Sequence, residues 1–199
     1  SEFWKNINTY YKRYGLHATI VRIMDKLTGQ SRVDYMTWYL KTKPTKQVLK
    51  IQRETTFPYM PEILVIVLEN KRGSDSLKNQ TYSRWKLCKI RELNDVVEIL
   101  KEAKEEYVLI TQPEDELSAD AFFQCVKSLN ADRTIEAIYS DDDIIKNETE
   151  YEEPAMKPDL NLDMLRSCNY IHNFLLVKKK LCQELFEECL ESWNGQIDW

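Results

Sequence analysis

Glycine is scarce in this chain, at four residues of 199, which excludes a collagen-like sequence and argues against a linker-rich or multi-hairpin one. Long hydrophobic runs are missing too. The longest, Ile63 to Leu68, is far short of what a bilayer-spanning helix needs, and no secretory signal pattern opens the sequence. The five cysteines (Cys88, Cys125, Cys168, Cys182 and Cys189) are odd in number, scattered, and form no C-x-x-C pair. They read as reduced core thiols of a cytosolic protein rather than as disulfides or zinc ligands. Histidine is limited to two residues. His17 has no acidic or cysteine company and receives no role, and His172 reads as a core or edge residue before it reads as a ligand.

What is present is the composition of a globular domain: 43% hydrophobic, 31% charged and 11% aromatic residues. The net charge of -5 is unevenly spread. Residues 1 to 53 hold eleven Lys/Arg and three acids, a net +8, whereas the remainder holds seventeen bases and thirty acids, a net -13. Phosphate neutralisation needs a basic surface, so nucleic acid is not expected as a partner of the main body. The basic arm suits anionic lipid at a membrane surface, an acidic protein partner, or the acidic body of its own domain.

Along the chain, Phe3 to Leu27 carries aromatic and aliphatic residues at helical spacing and ends at Thr28-Gly29. Asp34 to Leu40 predicts a short second helix before Lys43-Pro44. Residues 1–57 therefore read as a basic helical arm and linker, with Pro58 and Pro61 opening the main domain, 58–199. There the pattern becomes an alternation. Strands are predicted at Ile63–Leu68, Trp85–Ile90, Tyr107–Thr111, Ile135–Tyr139 and Tyr170–Val177. Helices are predicted at Ser74–Asn79, from the Asn94 cap to about Glu105, from the Ser118 cap through Ala119–Asn130, at Leu160–Ser167 and at Lys178–Leu190. Ser140 to Pro158 reads as irregular. Such alternation predicts an α/β fold with a largely parallel sheet covered on both faces.

Several strings carry a resemblance. Asn79-Gln80-Thr81-Tyr82-Ser83-Arg84-Trp85-Lys86-Leu87 resembles an "NQTYxxWEL" segment, and Tyr107 to Leu117 resembles "YVALLDHDDEL", followed by Ser118-Ala119-Asp120-Ala121. Ile138 to Asp143 resembles "IYSDED", and Lys157-Pro158-Asp159 through Ile171 resembles "KPDWSPDLLLSHNYI". Phe174 to Lys179 and Trp193 to Trp199 continue it as "FLVIRR" and "FEGAQDY". In this order and over nearly the whole chain, they resemble the bacterial family 2 glycosyltransferases of O-antigen and surface polysaccharide biosynthesis. The resemblance implies a GT-A-like, twisted, mostly parallel sheet with helices on both faces. Because the chain stops at Trp199, ahead of the family's C-terminal helix, it also implies a domain truncated at that end.

By the same resemblance, the reaction moves a sugar from a nucleotide-diphosphate donor to a glycan acceptor hydroxyl with inversion. It uses a uridine pocket at the carboxyl ends of the first strands, a D-x-D pair holding magnesium or manganese, and a carboxylate base. Asp198 falls on the base; as residues alone, it reads equally as a helix-initiating Asp after Gly195. Gln112, Pro113 and Glu114 fall on the D-x-D segment, with Asp115 and Glu116 next. Gln112 and Glu114 are thus the candidates for nucleotide or ribose contacts, and Glu114 and Asp115 for the metal. The competing reading is a solvated acidic turn.

The nucleotide end departs from the family pattern. Leu68 to Gly73 replaces a "P-x-Y-N" turn, Lys89 to Glu92 replaces "DDGS", and a strand with an Asn-Gly-Gly-rich segment is missing between Ile90 and Asn94. Asp141, Asp142 and Asp143 form a second acidic cluster that calls for a cation or the basic arm as neighbour, unless it is a solvated turn. Two readings follow. One is a glycosyltransferase at work in the cytoplasm or at the inner face of the membrane. The other is a catalytically inactive pseudo-glycosyltransferase kept as a docking or regulatory module.

Overall fold

The computed structural model describes residues 35–68, 75–92, 94–112, 115–145, 151–171 and 174–190, without the side chains of 68, 75 and 187–190. The helix expected over Phe3–Leu27 lies outside them. The described chain forms two units, treated separately.

The larger unit runs from Pro44 to Asp143 and resumes at Pro154. Its sheet uses β1 (Ile63–Leu68), β2 (Trp85–Ile90), β3 (Tyr107–Thr111), β4 (Ala137–Tyr139) and β7 (Leu175–Lys178), in the order β2-β1-β3-β7-β4. β1, β2 and β3 are parallel, with Val67 beside both Lys89 and Thr111. β7 runs antiparallel to β3 and to β4, so four of the five strands point one way. This is the mixed α/β, mostly parallel sheet expected. The antiparallel β7 is a feature that strand and helix alternation did not specify.

Pleating divides the strand side chains between two cores. Ile63, Val65 and Val67 of β1, with Tyr107 and Leu109 of β3, face Phe122, Cys125, Val126 and Leu129 of a helix at Ala121–Ala131, here α4. Leu64, Ile66 and Val108 face the opposite way, onto Val96 and Leu100 of α3 (Asp95–Glu102) and Cys182 of α6 (Lys179–Leu190). Helices therefore cover both faces. Each wholly buried Ile, Leu or Phe in these cores contributes roughly 1.5–3 kcal/mol. A 3-10 turn at Asp75–Asn79 stands where a short helix was expected, and α5 spans Leu162–Ser167.

Several elements differ from the sequence reading, β7 among them, which begins at Leu175 and not at Tyr170. Residues 46–54, read as linker, form a helix, α2 (Lys46–Glu54), started by Thr45, whose Oγ1 accepts from the Val48 N–H at 3.3 Å. It belongs to the sheet unit: its Gln52 is buried, donates to Asp120 and accepts from Thr81. α4 begins two residues later than predicted, after Asp120 rather than Ser118, because the Ser118 hydroxyl turns to Asp120 Oδ1 at 3.2 Å. The stretch read as irregular contains two paired strands, β5 (Asp142–Ile145) and β6 (Tyr151–Ala155).

The smaller unit has as its described part residues 35–43, 144–145 and 151–153. α1 (Tyr35–Thr42) buries no side chain fully. Eight residues are too few for a helix to persist on propensity alone, so local contacts must hold it. Tyr39 lies against Tyr151 at 4.4 Å between ring centroids, Tyr35 stacks on Trp38, and the Tyr151 N–H donates to Met36 Sδ at 3.1 Å.

Candidate functional site

The register of β1, β2 and β3 brings Leu68, Ile90 and Thr111 to one edge, the carboxyl end of the parallel strands. Open α/β sheets bind ligands there, because the loops diverge and side chains from several strands converge. Gln112 and Asp115 are placed at this end, and they hold each other. Asp115 Oδ2 accepts from Thr111 Oγ1 at 3.0 Å and from the Gln112 N–H at 3.0 Å, and the Asp115 N–H donates to the Gln112 carbonyl at 3.2 Å. Next along the chain, the Leu117 N–H donates to Ser76 Oγ at 3.1 Å. Asp115 is thus hydrogen-bonded back to the end of β3.

Of the expected metal pair, Glu114 and Asp115, only Asp115 lies among the described residues. Gln112 is neutral, and one oxygen of Asp115 serves two donors of its own turn. Among the described residues, no group of three or more His, Cys, Asp or Glu side chains could hold a metal ion. Glu114, the other metal and nucleotide candidate, and Asp198, the candidate base, lie outside the described residues, as do His17 and His172.

At the outer edge, β2 passes into α3 through four residues, 91 to 94. Asp95 Oδ2 accepts the N–H groups of Arg91 (3.4 Å) and Glu92 (3.3 Å), which fixes this short connection. An open groove of about 410 Å³ lies between them, with Lys89, Ile90 and Arg91 on one side and Asp95, Glu98 and Glu102 on the other. Three carboxylates against two cations offer a diphosphate little attraction.

The resembling strings meet in two further polar nodes. In the first, the Gln80 amide donates to the Ser118 carbonyl at 2.7 Å and accepts the Phe122 N–H at 3.2 Å, while the Thr81 N–H donates to the Ala119 carbonyl at 2.8 Å. Asp120 is buried there and accepts from Gln52 (3.3 Å) and Gln124 (2.8 Å). Tyr82 donates to the Pro61 carbonyl at 2.5 Å, and burial raises its phenol pKa well above the usual range. Gln80 of the "NQTY" string thereby supplies a partner to one N–H of the first turn of α4, that of Phe122, which has none within the helix.

The second node answers the acidic cluster from within the chain. Lys157 is 3% exposed at its side chain, and its Nζ lies 2.9 Å from Asp142 Oδ2 and donates to the Ile171 carbonyl at 2.5 Å. Its backbone N–H donates to Asp141 Oδ1 at 2.6 Å. Tyr139 donates to the Pro158 carbonyl at 2.6 Å, and the Asn161 N–H donates to the Tyr170 hydroxyl at 3.0 Å. Within the cluster Asp141–Asp143, Lys157 thus supplies a cation to Asp142 and a backbone donor to Asp141. The sequence alone gave the lysine of the Lys157-Pro158-Asp159 string no role; a basic residue within a family string, downstream of three aspartates, was the available signal.

The cysteines divide. Cys125 and Cys182 are buried, and burial pushes their thiols up to about 12 and about 11. Cys88 is half-buried, and Cys168 is exposed, which corrects the core-thiol reading for that residue: it ends α5, a helix with no buried side chain.

No helix among the described residues is long and apolar enough to cross a membrane. No family model matches the chain, and no curated protein matches it. Among solved structures it is similar to the crystal structure of 4-diphosphocytidyl-2C-methyl-D-erythritolsynthase from Anaerococcus prevotii DSM 20548. The identity is 16% over 71% of this chain and 81% of that one, with a TM-score of 0.36.

Proposed function

We propose that this chain is a glycosyltransferase domain of the family 2 type with a reduced donor site. It moves a sugar from a nucleotide-diphosphate donor to a glycan acceptor hydroxyl, with inversion and with low donor affinity. The observation that carries this reading is the pairwise meeting of the resembling strings. Gln80 and Thr81 hold the start of α4, about forty residues on, and Asp141 and Asp142 hold Lys157. In this reading Asp198 is the base, and the protein acts in the cytoplasm at the inner face of the membrane, with the basic residues 1–53 as its contact with lipid or a protein partner.

A second reading, a pseudo-glycosyltransferase serving as a docking or regulatory module, is favoured by one specific observation. At the carboxyl end of the strands Asp115 is bonded back to β3, and the groove beside β2 is richer in carboxylates than in cations.

A transfer assay separates the two. The chain is incubated with millimolar nucleotide sugars and mixed glycan acceptors, and products are read by mass spectrometry. Turnover that falls on the order of a hundredfold or more in Asp198→Asn supports the enzyme and its base. Turnover unaffected by that substitution removes Asp198 from the role, and no product with any donor leaves the module.

A further inference from the structure

Residues 35–53 hold Lys41, Lys43, Lys46, Lys50 and Arg53 and no acid, whereas residues 54–199 carry a net -13. The same short stretch holds large apolar side chains out of the fold. Trp38 and Leu40 of α1, and Val48 and Ile51 of α2, are between 42% and 57% exposed. Val48 and Ile51 stand three residues apart and so share one face of α2, while the side chain that α2 buries in its own unit is Gln52. We infer, resting on the reading of residues 1–53 as a contact arm, that α1 and α2 each contact an anionic phospholipid surface. Leu40, Val48 and Ile51 enter the boundary between headgroups and acyl chains, and the lysines answer the headgroup charge.

Helices with apolar tips on one side and a lysine-rich remainder suit a membrane interface, because long basic stems reach past the apolar tips to the headgroups. A lysine that does not touch a headgroup still feels the surface within a Debye length of about 8 Å, close to the width of a helix. A second exposed apolar cluster supplies the contrast. Met156, Leu160, Leu162 and Met164 are exposed as well, but Asp159 and Asp163 stand among them, so an anionic surface repels that cluster. An acidic protein segment accounts for the cations of 35–53; anionic lipid accounts for the cations and the apolar tips together.

Sedimentation of the whole chain with sucrose-loaded vesicles tests this without donor or acceptor. The vesicles are phosphatidylcholine alone, or phosphatidylcholine with about one-third phosphatidylglycerol, and the parent chain should bind the second kind roughly tenfold or more tightly. Leu40→Gln/Val48→Gln/Ile51→Gln should weaken that binding roughly tenfold or more. Glutamine is about as good a helix former as leucine and better than valine or isoleucine, so this variant should melt within about 2 °C of the parent. Lys46→Gln/Lys50→Gln should weaken binding by a similar factor, and Leu160→Gln/Leu162→Gln should leave it within about threefold. Equal binding to both kinds of vesicle would overturn the inference, as would a smaller fall in either the apolar or the lysine variant, or an equal fall in Leu160→Gln/Leu162→Gln. Binding to neither kind would also overturn it and leave an acidic protein as the partner of the arm. The transfer assay runs in solution, so loss of the lipid contact leaves the proposed activity standing, and an inactive chain that still binds anionic vesicles leaves the lipid contact standing.

Discussion

Lys157→Met tests the node that joins two distant strings of the chain. The substitution keeps the length and apolar stem of the side chain and removes the ammonium. In the parent protein that ammonium is 3% exposed and lies 2.9 Å from Asp142, whose side chain is 27% exposed. Removing one partner of a fully buried ion pair costs about 3–5 kcal/mol, because the other charge is left without compensation. Water can reach Asp142, so part of that penalty is relieved; the Ile171 carbonyl also loses its donor. The expected loss is about 2–3 kcal/mol, or roughly 4–12 °C in melting temperature. Urea unfolding should show a lower midpoint with an unchanged slope. The double variant Lys157→Met/Asp142→Asn should recover at least about 1 kcal/mol relative to the sum of the singles, since neither charge is then stranded. A single-variant loss below about 0.5 kcal/mol, or strict additivity in the double variant, would refute the argument that this lysine is the cation of the acidic cluster.

Two further outcomes follow from the same structure. Thiol reagents at pH 8 should label Cys168 quickly and leave Cys125 and Cys182 protected until the chain unfolds, because burial raises those two thiols and shields them; mass mapping of early adducts on Cys125 would contradict the core assignment. Burial by itself would raise the Glu105 carboxyl, but its own N–H, the Lys104 N–H and the Lys86 ammonium outweigh that and hold it below its ordinary value. A depressed folded-state pKa gives stability that is present above the unfolded value, near 4.5, and is lost as pH falls through the folded one. Glu105→Gln should therefore flatten the acid limb of a stability–pH profile below about pH 4.5, and an unchanged limb would remove Glu105 from the account.

The parallel strands were legible because their residues say the same thing at every level. Ile63–Leu68 is β-branched, apolar throughout and bounded by polar residues, and β1, β2 and β3 appear at the predicted bounds. β5 and β6 were not legible. They contain Asp142, Asp143, Glu152, Glu153 and Pro154, residues that disfavour strands when exposed, and only their mutual pairing makes them one. α2 was missed although Thr45 signals its start: its apolar residues are few, and its buried contact is a glutamine whose partners, Thr81 and Asp120, are remote in sequence. The same remoteness hid the Lys157 node. At the strand ends, the sequence located Gln112 and Asp115 correctly at the carboxyl edge but could not show that Asp115 is turned onto its own strand.

The proposed family 2-type glycosyltransferase domain would bind nucleotide only weakly at its donor end. Calorimetric titration of the whole chain with uridine diphosphate, with manganese and again with EDTA, tests it most directly. The predicted result is no binding tighter than about 0.1 mM under either condition, short of the roughly 8 kcal/mol that micromolar affinity represents. A dissociation constant in the micromolar range would contradict the account, because it would require a formed nucleotide pocket at the end where the structure places a short β2–α3 connection and an acidic groove.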